Sequence, residues 1–178
     1  MRIIAGTARG RRLFTPDDRT IRPTSDRVRE NLFNILAGGI EDGLFLDLFC
    51  GTGAIGIEAL SRGAARATFV DASETALRLT RQNLLHCQLA QRATCLKLTL
   101  PEQLCRAPEP YDVIFVDPPN TFEAHENLLL AVQEKGWTAP EARVIIESDT
   151  KRILPEQAGR MTLSRTKRYG DRRLTFYT

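Results

Sequence analysis

Between residues 44 and 147 the chain alternates short apolar runs with longer stretches whose apolar residues recur every three or four positions. The runs Leu44 to Phe49, Ala67 to Asp71, Ala93 to Leu98, Tyr111 to Val116 and Arg143 to Glu147 predict strands. The stretches Ile55 to Arg62, Glu74 to Leu85 and Phe122 to Lys135 predict helices. Strand and helix in regular alternation is the signature of a doubly wound α/β sheet with crossover connections. Upstream, Thr24 or Ser25 is placed to cap a helix bearing Val28, Leu32, Ile35 and Leu36 on one face, with Gly38 and Gly39 to stop it. Ile3, Ile4, Leu13 and Phe14, separated by Gly6 and Gly10, predict a small hairpin. After residue 150, Met161 to Tyr169 and Arg172 to Tyr177 flank Gly170 and Asp171 at the spacing of a closing β-hairpin. The pattern divides the chain into an N-terminal extension, residues 1–24, and one domain, residues 25–178, whose sheet has seven strands.

A chain of 178 residues that is 42% hydrophobic suits one substantial core and not two. It holds no run approaching the roughly 18 apolar residues of a membrane span. Its start, MRIIAGTARGRR, turns basic where a secretion signal would turn apolar, so a cytoplasmic location is expected. Cys50, Cys87, Cys95 and Cys105 form no CxxC pair, and with only His86 and His125 beside them no metal-ligand spacing arises. The net charge of +3 conceals a sharper distribution. Residues 1–30 carry eight arginines against four acids, residues 160–178 carry six basic groups against one acid, and the middle is acidic. Arginine outnumbers lysine 21 to 4, which favours bidentate phosphate contacts and stacking on bases. Solvated termini would look the same by charge alone.

LFLDLFCGTGAIGIEAL passes from a strand through Gly51, Gly53 and Gly56 into a helix, so GxGxxG stands in the context that gives it meaning. The glycines admit a ligand close to the backbone, and the helix start offers free N–H groups. Asp71, at the end of the next strand, is placed to accept hydrogen bonds from both ribose hydroxyls. These features fit a nicotinamide dinucleotide or S-adenosylmethionine alike. Asp47, inside the strand, tips the balance, because a buried acid needs a partner and S-adenosylmethionine brings an amine where a dinucleotide brings a pyrophosphate.

The fourth strand reads YDVIFVDPPNTF and puts Asp117, Pro118, Pro119 and Asn120 at the sheet edge where open α/β sheets bind ligands. Two prolines stiffen the backbone and leave carbonyls free to accept. A carboxylate and a carbonyl together suit an exocyclic amino group, whose nitrogen they can aim at a sulfonium methyl. A rigid strand-exit turn is the plainer reading of two prolines, and beside the glycine loop it becomes the lesser one.

With these motifs the chain resembles the bacterial methyltransferases that modify a guanine amino group of small-subunit ribosomal RNA, the RsmD-like family. The resemblance runs through RIIAGTARGRRL, RPTSDRVRENLFNIL, DLFCGTGAIGIEALSRGA, Asn83, YDVIFVDPP, VIIE and RYGDRRLTFY. It implies a Rossmann-like class I methyltransferase of seven mostly parallel strands, with a C-terminal hairpin and a basic N-terminal extension. It further implies S-adenosylmethionine held by Asp47, Gly51, Gly53 and Asp71, catalysis by Asp117, Pro118, Pro119 and Asn120, and RNA contact by the basic start. Arg9, Arg11, Arg12, Arg22 and Arg27 are the candidates for flanking phosphates. The expected partner is small-subunit ribosomal RNA or the assembling small subunit, bound by a monomer. Two positions depart from the family. Asn120 stands where an aromatic residue would sandwich the base, leaving Phe122 as a stacking candidate. The acid expected after the third strand is missing from CLKLTLPE, where Thr99 stands nearby.

Three other functions share parts of this pattern. A DNA amino-methyltransferase would use the same Asp-Pro-Pro chemistry, but no target-recognition domain is visible. A catalytically silent RNA-binding protein of this fold would explain Asn120, against which stands the retention of Asp117 and both prolines. A nicotinamide oxidoreductase rests on the glycine pattern alone.

Overall fold

A computed structural model describes residues 1–16, 26–36 and 38–178. Eight strands form one sheet: β1 (Leu44–Leu48), β2 (Arg66–Asp71), β3 (Ala93–Lys97), β4 (Tyr111–Val116), β5 (Thr138–Asp149), β6 (Gln157–Ala158), β7 (Met161–Tyr169) and β8 (Arg172–Tyr177). The helices are α1 (Asp26–Leu36), α2 (Ala54–Ser61), α3 (Glu74–His86) and α4 (His125–Glu134). The spatial order β3-β2-β1-β4-β5-β8-β7-β6 puts five parallel strands first and a closing antiparallel hairpin after them.

The period of two sorts each strand's side chains into two apolar layers. Phe45, Phe69, Val113, Phe115 and Ile145 pack with α1, α2 and α3 on one face. Leu46, Leu48, Ile114, Val116, Val144 and Ile146 pack with Leu128, Leu129 and Val132 of α4 on the other. Because both faces are covered, β1 and β4 read as nearly continuous hydrophobic runs. Chain order reverses between β1 and β4, so the loops after these two strands open a crevice at the carboxyl edge of the sheet.

The expected seven strands become eight because the two-residue β6 pairs with the start of β7. The fifth strand begins earlier than expected, since Thr138 already pairs with Tyr111 across an irregularity in register. The fourth helix begins later: the Phe122 N–H is held by the Pro119 carbonyl at 2.8 Å in a turn that precedes it. Thr24 and Ser25, the proposed caps of α1, lie outside the described residues.

Residues 1–13 form a hairpin-like loop, closed by an antiparallel bridge between Arg2 and Arg12. Its Ile3, Ala8 and Leu13 enter the same core as α2. The fully buried Glu58 accepts from the Ile4 and Ala5 N–H groups at 2.8 and 3.0 Å. At the tip, Gly6 has φ +81°, and a Cβ there would lie 1.7 Å from the Ser61 carbonyl oxygen. The extension is therefore seated against α2 through backbone contacts that only a glycine allows.

Candidate active site

β1 leads into a tight loop in which Phe49, Gly51 and Gly53 all have positive φ, at 61°, 55° and 76°. Each glycine has a separate physical reason. Around Gly51 a Cβ would meet nothing within 4 Å, so the backbone there faces open space. At Gly53 it would press on Thr80, and at Gly56 it would lie 2.3 Å from the Phe69 ring, so the third glycine is what lets α2 approach β2. Thr80 donates to the Gly51 carbonyl at 2.9 Å, and Asn83 donates to the Thr52 carbonyl at 2.9 Å.

Asp47 is buried, and its carboxylate accepts the Gly56 N–H at 2.9 Å. Gly56 lies in the first turn of α2, where Gly53 offers no side-chain cap, so a strand residue satisfies one of the helix's orphan donors. The sequence suggests a ligand amine for this acid; the structure adds the helix terminus. Asp71 accepts from Gly51 N–H at 3.0 Å with one oxygen and from Ser73 N–H at 2.8 Å with the other, tying the glycine loop to the start of α3. Thr99 is exposed and exchanges hydrogen bonds with Gln103 through its backbone.

β4 ends beside this loop, with Val116 opposite Leu48 in register. Asp117 therefore projects into the crevice with Pro118, Pro119 and Asn120 following. A single guanidinium grips this segment. Arg172 of β8 donates through Nη2 to Asp117 at 2.9 Å, through Nη1 to the Asn120 side-chain oxygen at 2.9 Å, and through Nε to Glu147 at 3.0 Å. Arg152 donates to the Asn120 backbone carbonyl at 3.0 Å. Arg172, Glu147 and Arg152 are site residues that motif reading does not reach. Glu147 and Arg172 sit inside the family-like segments VIIE and RYGDRRLTFY, and that position is the signal by which the sequence could have marked them.

Beyond Asn120 opens a cavity of about 500 Å³, lined among others by Pro118, Asn120, Phe122, His125, Glu147 and Arg152. Phe122 meets Phe49 and His125 edge-on, with ring centroids 5.1 and 5.0 Å apart, so it is braced at the cavity wall. Burial lowers the basicity of His125, favouring the neutral ring.

The crevice gathers carboxyl groups, and their crowding disfavours a further negative charge. Burial raises the Asp47 carboxyl well above the usual range, and the nearby Asp117 and Asp71 raise it further. Asp117 is pushed up to about 8 by burial and by Glu147, against the pull of Arg172. Such a site favours a cationic guest and disfavours a pyrophosphate.

The structure thus brings together Asp47, Gly51, Gly53, Asp71, Asp117, Pro118, Pro119, Asn120 and Phe122 along one edge of the sheet. Of the arginines expected to meet phosphates, Arg9, Arg11 and Arg12 lie on the N-terminal loop and Arg27 on α1. Arg9, Arg12 and Arg27 are exposed. Arg27 is near enough to the hairpin to act with Arg165 on the Tyr169 phenol. Arg11 is occupied with the end of α3, donating to the His86 carbonyl and to Gln88. Arg22 lies outside the described residues.

The family model of conserved hypothetical protein 95 matches residues 1–178. The ribosomal RNA small subunit methyltransferase D of Escherichia coli is 39% identical over 167 residues, covering 94% of this chain and 84% of that one. The solved structure of yhhF from Escherichia coli superposes with a TM-score of 0.88 at 38% identity, covering 99% and 96% of the two chains. An RNA methyltransferase from Salinibacter ruber, solved with S-adenosyl-L-homocysteine, has a TM-score of 0.68 at 18% identity over 88% and 93%, a likeness of fold. The architecture is that of class I methyltransferases.

Proposed function

The chain belongs to the family of conserved hypothetical protein 95, the RsmD family, and from that premise we propose that it transfers a methyl group from S-adenosylmethionine to the exocyclic amino group of a guanine in small-subunit ribosomal RNA. The observation that carries this reading is the acidic crescent of Asp47, Asp71 and Asp117 around the open backbone of Gly51, beside a stiff Asp-Pro-Pro turn.

The residues present fit the cofactor. Gly51 leaves room over the loop, Asp71 retains lone pairs for ribose hydroxyls beyond its two backbone donors, and the buried acids suit a ligand with a cationic tail. Asp47, Gly51, Gly53 and Asp71 hold it. Bound there, S-adenosylmethionine supplies an electrophilic methyl on a sulfonium.

Asp117 and the Pro118 carbonyl accept the N–H bonds of the target amine, and in doing so they turn its lone pair toward the methyl. As the new N–C bond forms and the C–S electron pair goes to sulfur, the nitrogen becomes acidic and its surplus proton leaves through Asp117. Burial favours this transfer, because a carboxylate of raised basicity is a better proton acceptor. Arg172 occupies one Asp117 oxygen, so the other faces the amine. The base enters the adjoining cavity against Phe122, which replaces the aromatic that Asn120 is not.

Arg9, Arg12, Arg22 and Arg27 hold phosphates on either side of the extruded nucleotide, and Arg11 adds charge while bracing α3. The protein acts as a cytoplasmic monomer on the small-subunit RNA or its assembling particle. Among the described residues no helix is long and apolar enough to cross a membrane.

The deciding experiment is transfer of labelled methyl to undermodified small-subunit RNA, to assembled small subunits and to DNA, with Asp117→Ala as control. N2-methylguanosine formed only with Asp117 intact is the expected product. Cofactor binding without transfer to any substrate would replace this reading with that of a silent RNA-binding protein, and transfer to DNA alone would replace it with a DNA amino-methyltransferase.

A further inference from the structure

The exocyclic amino group of guanine sits between the N1–H donor and the N3 acceptor, so a site that grips it from the N3 side needs an acceptor and a donor side by side. Asp117 is the acceptor. The second group at this position is Asn120, whose side chain carries both an oxygen and an NH2, and nothing in its own turn decides which of them faces the base. The decision comes from elsewhere in the fold. Arg172 Nη1 occupies the Asn120 oxygen at 2.9 Å, while Nη2 of the same guanidinium occupies one Asp117 oxygen at 2.9 Å. What remains on offer is one carboxylate oxygen from Asp117 and the NH2 of Asn120.

We infer that Arg172 is a positioning residue that orients Asp117 and Asn120 as an acceptor–donor pair for the amino edge of the target base, so that a hydrogen-bonding residue serves at position 120 where an aromatic would stack. The inference rests on the methyltransferase reading of the same crevice.

The geometry favours this role over a plain salt bridge. The guanidinium spends its three nitrogens on three residues from two parts of the fold: Asp117 and Asn120 in the turn after β4, and Glu147 in β5. A lysine has the charge but cannot span such a fork. The hairpin register holds Arg172 opposite Asp149 on β5, two residues beyond Glu147, and thereby aims it at the end of β4. Arg152 donates to the Asn120 backbone carbonyl, so the turn is held through its backbone as well as through the Asn120 side chain.

The charges around Asp117 give the role a signature in pH. Asp47 on β1 and Glu147 on β5 are the acids near it, and Arg172 is the cation in direct contact. Removing the cation leaves the acids facing each other, which drives Asp117 further toward its neutral form. A neutral carboxyl presents a donor where the amine needs an acceptor.

The test compares wild type, Arg172→Ala, Arg172→Lys, Asn120→Ala and the Arg172→Lys/Asn120→Ala pair, using undermodified small-subunit RNA and S-adenosylmethionine. Turnover, KM for RNA, cofactor dissociation constant and the pH profile are measured for each. Arg172→Ala is expected to lower kcat on the order of 10- to 100-fold, as for loss of charge-assisted hydrogen bonds, with the cofactor constant unchanged and the acid limb displaced to higher pH. Arg172→Lys is expected to return the limb toward wild type without restoring kcat, and its effect is not additive with that of Asn120→Ala. Should Arg172→Ala fail to fold, the lysine variant and the double-variant cycle decide alone. Unchanged kcat and pH profile in a folded Arg172 variant, or strict additivity with Asn120→Ala, overturns the inference while an active wild type keeps the functional reading. A wild type that transfers no methyl overturns both.

Discussion

Asn83 donates a 2.9 Å hydrogen bond to the carbonyl of Thr52, so a buried side chain in the last turn of α3 holds the glycine loop. The same amide donates to the Phe14 carbonyl at 3.0 Å and accepts the Phe14 N–H at 2.7 Å. The N-terminal extension and the glycine loop are thus fastened to one residue. Asn83→Ala leaves these backbone groups without their partner and is expected to cost about 1–3 kcal/mol of stability. Calorimetry should show weaker cofactor binding together with a lower Tm. A variant with the lower Tm and unaltered cofactor affinity would show that the loop keeps its shape without this support.

Asp117 is expected to give stability and activity opposite dependences on pH. Its folded pKa is raised from 3.8 to about 8, so the native state binds the extra proton and gains stability that is full below the unfolded value and lost as pH rises toward the folded one. In the proposed mechanism turnover uses the carboxylate, and it should climb over the same window. Urea denaturation in mildly acidic and mildly alkaline buffer, alongside initial rates, measures both trends. Asp117→Asn should flatten its share of the stability slope and abolish turnover; a slope unchanged by this substitution would assign it to other groups, Asp47 first.

Phe122 is braced against His125 on the cavity wall and meets the glycine loop through the edge of Phe49. Phe122→Ala should reduce kcat on the order of 10-fold, the usual value of one base–aromatic stack, and leave the cofactor dissociation constant as it was. Equal losses in both quantities would move Phe122 from the base pocket to the support of the glycine loop.

The exposed arginines and the tethered one should separate in a salt titration. Neutralising Arg9, Arg12 and Arg27 together is expected to weaken RNA binding and to flatten the dependence of log K on log salt by about 0.7 for each phosphate that is no longer neutralised. Arg11→Ala, which releases the end of α3, should lower Tm more than it changes that slope. If the triple variant binds RNA with wild-type affinity and slope, the phosphate track lies elsewhere, with the basic closing hairpin as the next surface to test.

The strands, helices and hairpin were legible in the sequence because burial on a sheet or against a helix imposes a period, and a period survives in one dimension. The glycine loop and the Asp-Pro-Pro turn were legible for a related reason: each is a local backbone device completed within a few residues. Family likeness carried the rest of the functional expectation. The late start of α4 was not legible, since Phe122 is diverted into a turn by the Pro119 carbonyl. Nor was the short strand β6, which exists only because β7 is there to pair with it.

What the tertiary structure alone decided is where long side chains spend their hydrogen bonds. Asp47 faces α2 and satisfies a helix start nine residues away, and Arg11 reaches the end of α3. Arg172, fifty-five residues from Asp117, comes to it through the antiparallel register in which Val144 to Asp149 of β5 pair with β8. A flexible side chain has no periodicity, and its partner is fixed by which surfaces meet when the two layers close on the sheet. Sequence pattern therefore determined the scaffold and its chemically marked edge, and only the closed fold determined which charges there are paired and which remain to meet a substrate.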